Sequence, residues 1–142
     1  MLQVWADPFR MVAFYVAINA AIMLVLSMLV VRARFKTEVE IGDGGDPAMM
    51  GPLRAHANNT EYVPVPLLML LIIYSLGGSF WLVHAVGLPL TIGRIVHGIG
   101  LSGNVGTSLL RFIGMILTWI AFIAGIVFCL WLTFFPPPVP TS

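Results

Sequence analysis

The chain has 142 residues, 59% hydrophobic and only 9% charged, with a formal net charge of +1. Water-soluble domains carry roughly 25% charged residues, so the composition excludes one and gives no sign of a nucleic-acid partner. The basic residues form no patch, the single cysteine (Cys129) excludes an intrachain disulfide, and His56, His84 and His97 lack metal-ligand spacing, so no metal site is expected.

Met11 to Val31 is a run of 21 residues without a charge, and about 20 apolar residues cross the hydrocarbon core of a bilayer. A cleaved signal peptide would have an apolar core of about 7–15 residues behind a basic start. The run therefore reads as a retained first transmembrane helix over 11–34, with Asn19 and Ser27 hydrogen-bonded to backbone or to a neighbouring helix. Arg32, Arg34 and Lys36 follow at once and mark a cytoplasmic exit, which places the N-terminus outside. Residues 35–51 are rich in glycine and proline and read as a cytoplasmic loop. It is either a solvated linker or the border of a substrate entrance, with a short helical turn after Asp46-Pro47, a pairing typical of a helix start.

A second helix is expected over 52–78. Its first turns hold Arg54, Asn58 and Glu61 at i, i+4 and i+7, on one face. Pro64 and Pro66 follow. Neither has an N–H, so the carbonyls of Thr60 and Tyr62 lose their i+4 partners, and a kink just beyond Glu61 is expected. Gly77, Gly78, Gly87 and Pro89 bracket an outer turn. A third helix over 82–101, with Pro89 as an alternative start, places Arg94 and His97 on one face. Its Gly93, Gly98 and Gly100 offer small surfaces against which another helix can pack closely. Ser102 to Ser108 reads as a short loop. A fourth helix over 108–135 carries Arg111 at its start and contains 24 uncharged residues from Phe112 to Phe135. Pro136, Pro137 and Pro138 stop it, and the tail beyond reads as disordered. Aromatic residues gather at the outer ends, Trp5 and Phe9, Phe80 and Trp81, Trp131, Phe134 and Phe135, as an interfacial belt does. The fold class is all-α and integral to the membrane, a single domain over 1–142 built as a four-helix bundle, multi-pass, with both termini outside the cytoplasm and lipid as its surrounding partner.

Charges inside the bilayer mark either a pairing or a site. A Glu61–Arg94 pair would make both tolerable, yet it leaves Arg54, Asn58, His97 and Arg111 without a task. Three arginines against one glutamate near the cytoplasmic face suit an anionic ligand carrying carboxylates or a thiolate. A transporter or channel is disfavoured by so few pathway charges.

The run Arg54-Ala55-His56, Asn58, Glu61-Tyr62-Val63-Pro64 resembles the second-helix signature of the MAPEG family, the membrane-associated proteins of eicosanoid and glutathione metabolism. Gly93-Arg94-Ile95-Val96-His97 is similar to the family's third-helix motif, and the chain looks most like the uncharacterised bacterial members, which implies a bacterial inner membrane. The resemblance implies a homotrimer with glutathione, the co-substrate, held between subunits near the cytoplasmic face. By position, Arg54, Asn58, Glu61 and Tyr62 would bind it from the second helix, and Arg94 and His97 from the third. Arg111 would be the catalytic arginine that favours the thiolate. Leu101 stands where well-studied members have a tyrosine, and Ala57 where some have a second arginine. The implied activity is a glutathione-dependent transferase or peroxidase acting on a small hydrophobic electrophile. The alternative is a non-enzymatic trimer that binds a thiol or lipid, or scaffolds a partner.

Overall fold

The computed structural model describes residues 7–103 and 108–138, and they are helical throughout except for short turns. The helices are α1 (Pro8–Thr37), α2 (Pro47–Tyr62), α3 (Pro64–Ser75), α4 (Phe80–Gly103) and α5 (Leu109–Phe134). Trp5 and the tail beyond Pro138 lie outside the described residues.

α1 begins earlier than the uncharged run, because Asp7 caps it, its carboxylate accepting from the Phe9 N–H at 2.9 Å, with Pro8 in the first turn. At 30 residues it is about 45 Å long, longer than the hydrocarbon core. It ends at Glu38, whose φ is +57°. Arg34 turns back over that end and donates from Nη1 to the carbonyls of Val39 (3.1 Å) and Glu40 (2.9 Å), which folds the connecting segment against the helix.

That connection is shorter than the expected loop over 35–51. Asp46 accepts from the Ala48 N–H at 2.8 Å and Pro47 opens the helix, so the helical turn anticipated there is the true start of α2, and Pro52 lies inside the helix. The expected single helix over 52–78 is divided at Val63. Val63 keeps right-handed helical torsions (φ −80°, ψ −41°) and donates to Asn59 O at 3.1 Å. The backbone path therefore carries on through Val63, and the break is the one that Pro64 and Pro66 impose by withholding their N–H groups. α3 then closes in a turn where Gly77 has φ +79°, a conformation that a side chain would strain. Gly77 N–H donates to Tyr74 O and Gly78 N–H to Ile73 O, and Pro137 packs over the turn.

Three helices among the described residues are long and apolar enough to cross a bilayer: α1, α4 over Phe80–Leu101, and α5. α2 and α3 fall short singly because the proline break splits their stretch. Half of the apolar window of α4 is buried, against 17% in α1 and 22% in α5, so α4 is the interior helix, and it touches all four others. α4 starts at Phe80, ahead of the expected 82, and Pro89 sits inside it rather than starting it. The Asn19 amide donates to Thr91 Oγ1 at 2.9 Å, and the Tyr15 hydroxyl bonds to His84 Nδ1. These two contacts join α1 to α4, and they answer the expectation that Asn19 needs a partner. The main core lies at the Gly77 end, around Tyr15, Leu70, Ile73, Val86 and Leu90. A smaller one, Leu26, Ala55 and Leu101, lies at the other end.

The closest helix pair is α4 with α5. A Cβ built on Gly93 would stand 2.9 Å from the Gly114 carbonyl oxygen, and one on Gly114 would stand 2.6 Å from His97 Cβ. Neither is sterically possible without moving a backbone, so these glycines fix the approach. By contrast a Cβ on Gly98 would meet only Leu26, at 3.4 Å. Gly114→Val is expected to destabilise the protein by about 1–3 kcal/mol or more through overpacking. Gly98→Ala is expected to leave stability nearly unchanged. Thermal unfolding in detergent checks the pair, and equal melting temperatures for both variants would refute the account.

Candidate functional site

At the end of the bundle away from Gly77, a cavity of about 290 Å³ opens between α2, α4 and α5, lined by Met50, Arg54, Asn58, His97, Leu101 and Arg111. Its polar groups come from three elements. Arg54 and Asn58 project from successive turns of α2, four residues apart. His97 comes from α4 and is 5% exposed. Its backbone and Cβ lie close against α5 because Gly114 has no side chain at the crossing.

Arg111 reaches the cavity through the way α5 begins. Ser108 caps the helix, its Oγ accepting from the Arg111 N–H at 3.3 Å and donating to the Gly100 carbonyl at 3.5 Å. Gly100 allows this, since a Cβ there would lie 2.9 Å from the Arg111 nitrogen. One hydroxyl thus caps α5 and fastens its first turn to α4. The capping role of Ser108 was readable as a serine directly before an apolar helix, but the bond across to Gly100 was not.

The remaining candidates stand elsewhere. Arg94 is 1% exposed and does not line the cavity. Its Nη1 donates to Asn58 Oδ1 at 2.8 Å, its Nη2 faces Met115 Sδ at 3.7 Å, and its Cζ lies 5.7 Å from the centre of the Tyr62 ring. The other face of the site's surroundings is aromatic. Tyr62 meets Phe122 edge-on at 6.1 Å and borders a separate cleft with Trp119, Phe122 and Ile123. Glu61 is exposed on the surface of α2. No ion pair joins Glu61 to Arg94, which corrects that expectation. The reason is angular. Asn58, three residues earlier, occupies the position on α2 that Arg94 reaches, while Glu61 on the next turn is exposed. Among the described residues, no group of His, Cys, Asp and Glu has the arrangement of a metal centre.

Electrostatically the cavity has one sign. Its charged groups are Arg54 and Arg111, and its neutral polar groups are Asn58 and His97. Among the described residues, no carboxylate lines it. Guanidinium forks match carboxylates and phosphates with paired hydrogen bonds, so the arrangement recognises an anion. Met50 and Leu101 supply apolar walls.

Across residues 12–131 the chain matches the family model described as "MAPEG family". The chain belongs to the MAPEG family. Its similarity extends to the inner membrane protein YecN of Escherichia coli K12, 32% identical over 119 residues that cover 84% of this chain and 89% of that protein. The YecN of the E. coli O6:H1 strain CFT073 matches to the same extent. No solved structure matches the chain. Membership of the MAPEG family together with the three apolar spans makes this an integral, multi-pass membrane protein.

Ser108→Ala removes both bonds of the cap. Loss of a helix N-cap costs about 0.5–2 kcal/mol, and here it also loosens the turn that carries Arg111. The amides of Arg111 and Phe112 are expected to exchange hydrogen faster in this variant than in wild type. Unchanged exchange at both positions would show that Ser108 does not hold this turn.

Proposed function

We propose that this protein is a membrane-embedded glutathione-dependent transferase or peroxidase acting on a lipophilic electrophile, working as a homotrimer of protomers that cross the membrane four times. The observation that carries this reading is the convergence of Arg54, Asn58, His97 and Arg111 on one cavity that no carboxylate of the described residues lines. That donor set suits a tripeptide bearing two carboxylates and a thiol. Arg54 at the mouth pairs with a carboxylate, and Asn58 and His97 hydrogen-bond to the peptide. Glu61, outside the cavity wall on the next turn of α2, offers an acceptor for the ammonium group. Tyr62 adds an aromatic body beside it.

Glutathione supplies a thiolate, which forms a carbon–sulfur bond with an electrophile while the displaced group leaves with its electron pair. A free thiol has a pKa of about 8.5, so only a few per cent is ionised at neutral pH. The Arg111 guanidinium favours the ionised form by placing positive charge at the cavity, and the proton goes to solvent. The exposed apolar surface of the helices lets a hydrophobic substrate approach from the bilayer.

The trimer is supported by Glu61 and Thr60, exposed on a helix that must lie at least partly in hydrocarbon. About 21 Å of helix separates Glu61 from Ser75, against a hydrocarbon core of about 30 Å. Lipid tails do not solvate a carboxylate, and a neighbouring subunit would cover it. α2 and α3 together, joined through Val63, would form the fourth crossing. The basic residues Arg32, Arg34 and Lys36 at the C-terminal end of α1 support an orientation with both termini outside the cytoplasm. The name of YecN supports an inner-membrane location.

A second reading is a non-enzymatic trimer that binds a thiol or lipid, or scaffolds a partner. It is favoured by Leu101, which presents an apolar wall to the cavity where a hydroxyl would assist a reacting sulfur.

The test uses purified protein, glutathione and a hydrophobic electrophile. Wild type is expected to show thiolate absorbance and conjugation. Arg111→Ala should lose the thiolate signal and slow conjugation about a hundredfold, the scale for losing one charge-stabilising donor. Arg54→Ala should weaken glutathione binding about tenfold. Wild type that forms no thiolate and turns over nothing sinks the transferase reading. Binding without turnover would establish the second.

A further inference from the structure

We infer that Arg94 is a positioning residue that locks the Asn58 side-chain amide, so that its NH2 group rather than its oxygen faces the cavity. Resting on the anion-binding reading above, this makes Arg94 a determinant of specificity although it does not line the site. An asparagine amide has two ends of nearly equal shape and opposite hydrogen-bonding character, and a half-turn about its last torsion exchanges them. Left alone, Asn58 could present an acceptor to the cavity as readily as a donor.

Arg94 removes that freedom. A guanidinium has only donors, so the end of Asn58 that meets Nη1 at 2.8 Å must be the oxygen. The Met115 sulfur, the Tyr62 ring and Asn58 itself hold the guanidinium in this orientation, and the residue is 1% exposed, although it also borders a largely apolar cleft between α1 and α4. Asn58 touches Arg94 and also borders the cavity. Its NH2 group, turned from Arg94, joins the guanidinium donors of Arg54 and Arg111 at the cavity. A flipped amide would put a partial negative charge where a ligand carboxylate must sit.

Because Arg94 acts through Asn58, the two should not contribute independently to binding, and a double-mutant cycle measures this. Glutathione affinity of the full-length protein in detergent is measured by calorimetry for wild type, Arg94→Met, Asn58→Ala and the double variant. Each single variant is expected to bind about tenfold more weakly, and the double variant no more weakly than Asn58→Ala. Arg94→Lys keeps a donor toward Asn58 and should restore most of the affinity. Asn58→Asp keeps a partner for Arg94, and so the fold, but presents an oxygen to the cavity, and it should bind at least about tenfold more weakly. Multiplying effects in the double variant, or wild-type affinity in Asn58→Asp, would overturn the inference.

A ligand-free readout separates this from the functional reading. With asparagine labelled by ¹⁵N, the Asn58 side-chain NH2 signals should shift or broaden in Arg94→Met and return toward wild type in Arg94→Lys. Signals indifferent to Arg94 would overturn the inference. If wild type binds no glutathione while the signals respond as expected, the ligand assignment fails and the Arg94–Asn58 lock stands.

Discussion

A guanidinium near the middle of a membrane helix is costly to place, at roughly 2.5–3.5 kcal/mol on insertion scales. The bundle is arranged around making one tolerable. Arg94 stands on α4, the helix that touches every other one, and its three neighbours come from α2 and α5: a carbonyl oxygen, a polarisable sulfur and an aromatic face. None is an anion. A carboxylate in that place would have cancelled the charge and, with it, much of the positive field at the adjoining cavity. Neutral acceptors stabilise the cation and leave its charge in force.

The same economy of atoms sets the geometry next door. Gly93 and Gly114 let α4 and α5 cross with backbones nearly touching, and Gly100 lets the first turn of α5 lie on α4. Without a hydrophobic force between helices in lipid, close van der Waals packing and interhelical hydrogen bonds are what hold them together. Ser108 uses that proximity to bond both helices at once. His97 and Arg111 are therefore brought to one cavity by missing side chains as much as by present ones. On the far side, the prolines that end α2 leave Arg54 and Asn58 on a helix separate from the apolar α3. The polar segment is thus set against α4 and α5, and the apolar segment packs into the core with Tyr15 and Leu90.

Much of this was legible in the sequence. The charge-free runs located α1 and α5, the proline pair located the break beyond Tyr62, and Arg54, Asn58, His97 and Arg111 announced themselves as polar groups that hydrocarbon cannot solvate. The family followed from the spacing of residues Arg54 to Pro64, and the match over residues 12–131 shows it. These features are local, because a run of apolar residues, a cap or a proline acts within one or two turns. Helix starts were less well read where a cap lay outside the apolar run, as with Asp7 and Asp46.

Partnership was decided only by the tertiary structure. The sequence offered Glu61 to Arg94 because opposite charges attract, but which residue an arginine meets depends on the rotation of two helices about their axes. That rotation is fixed by packing spread over both helices, which no single residue pair reveals. It put Asn58 opposite Arg94, left Glu61 on the surface, and turned Tyr62 between a cation on one side and an aromatic cleft on the other. Residue types and spacing determined that this chain crosses a membrane and carries a cationic polar face. Helix rotation determined which of those polar groups form the cavity and which one stands behind it.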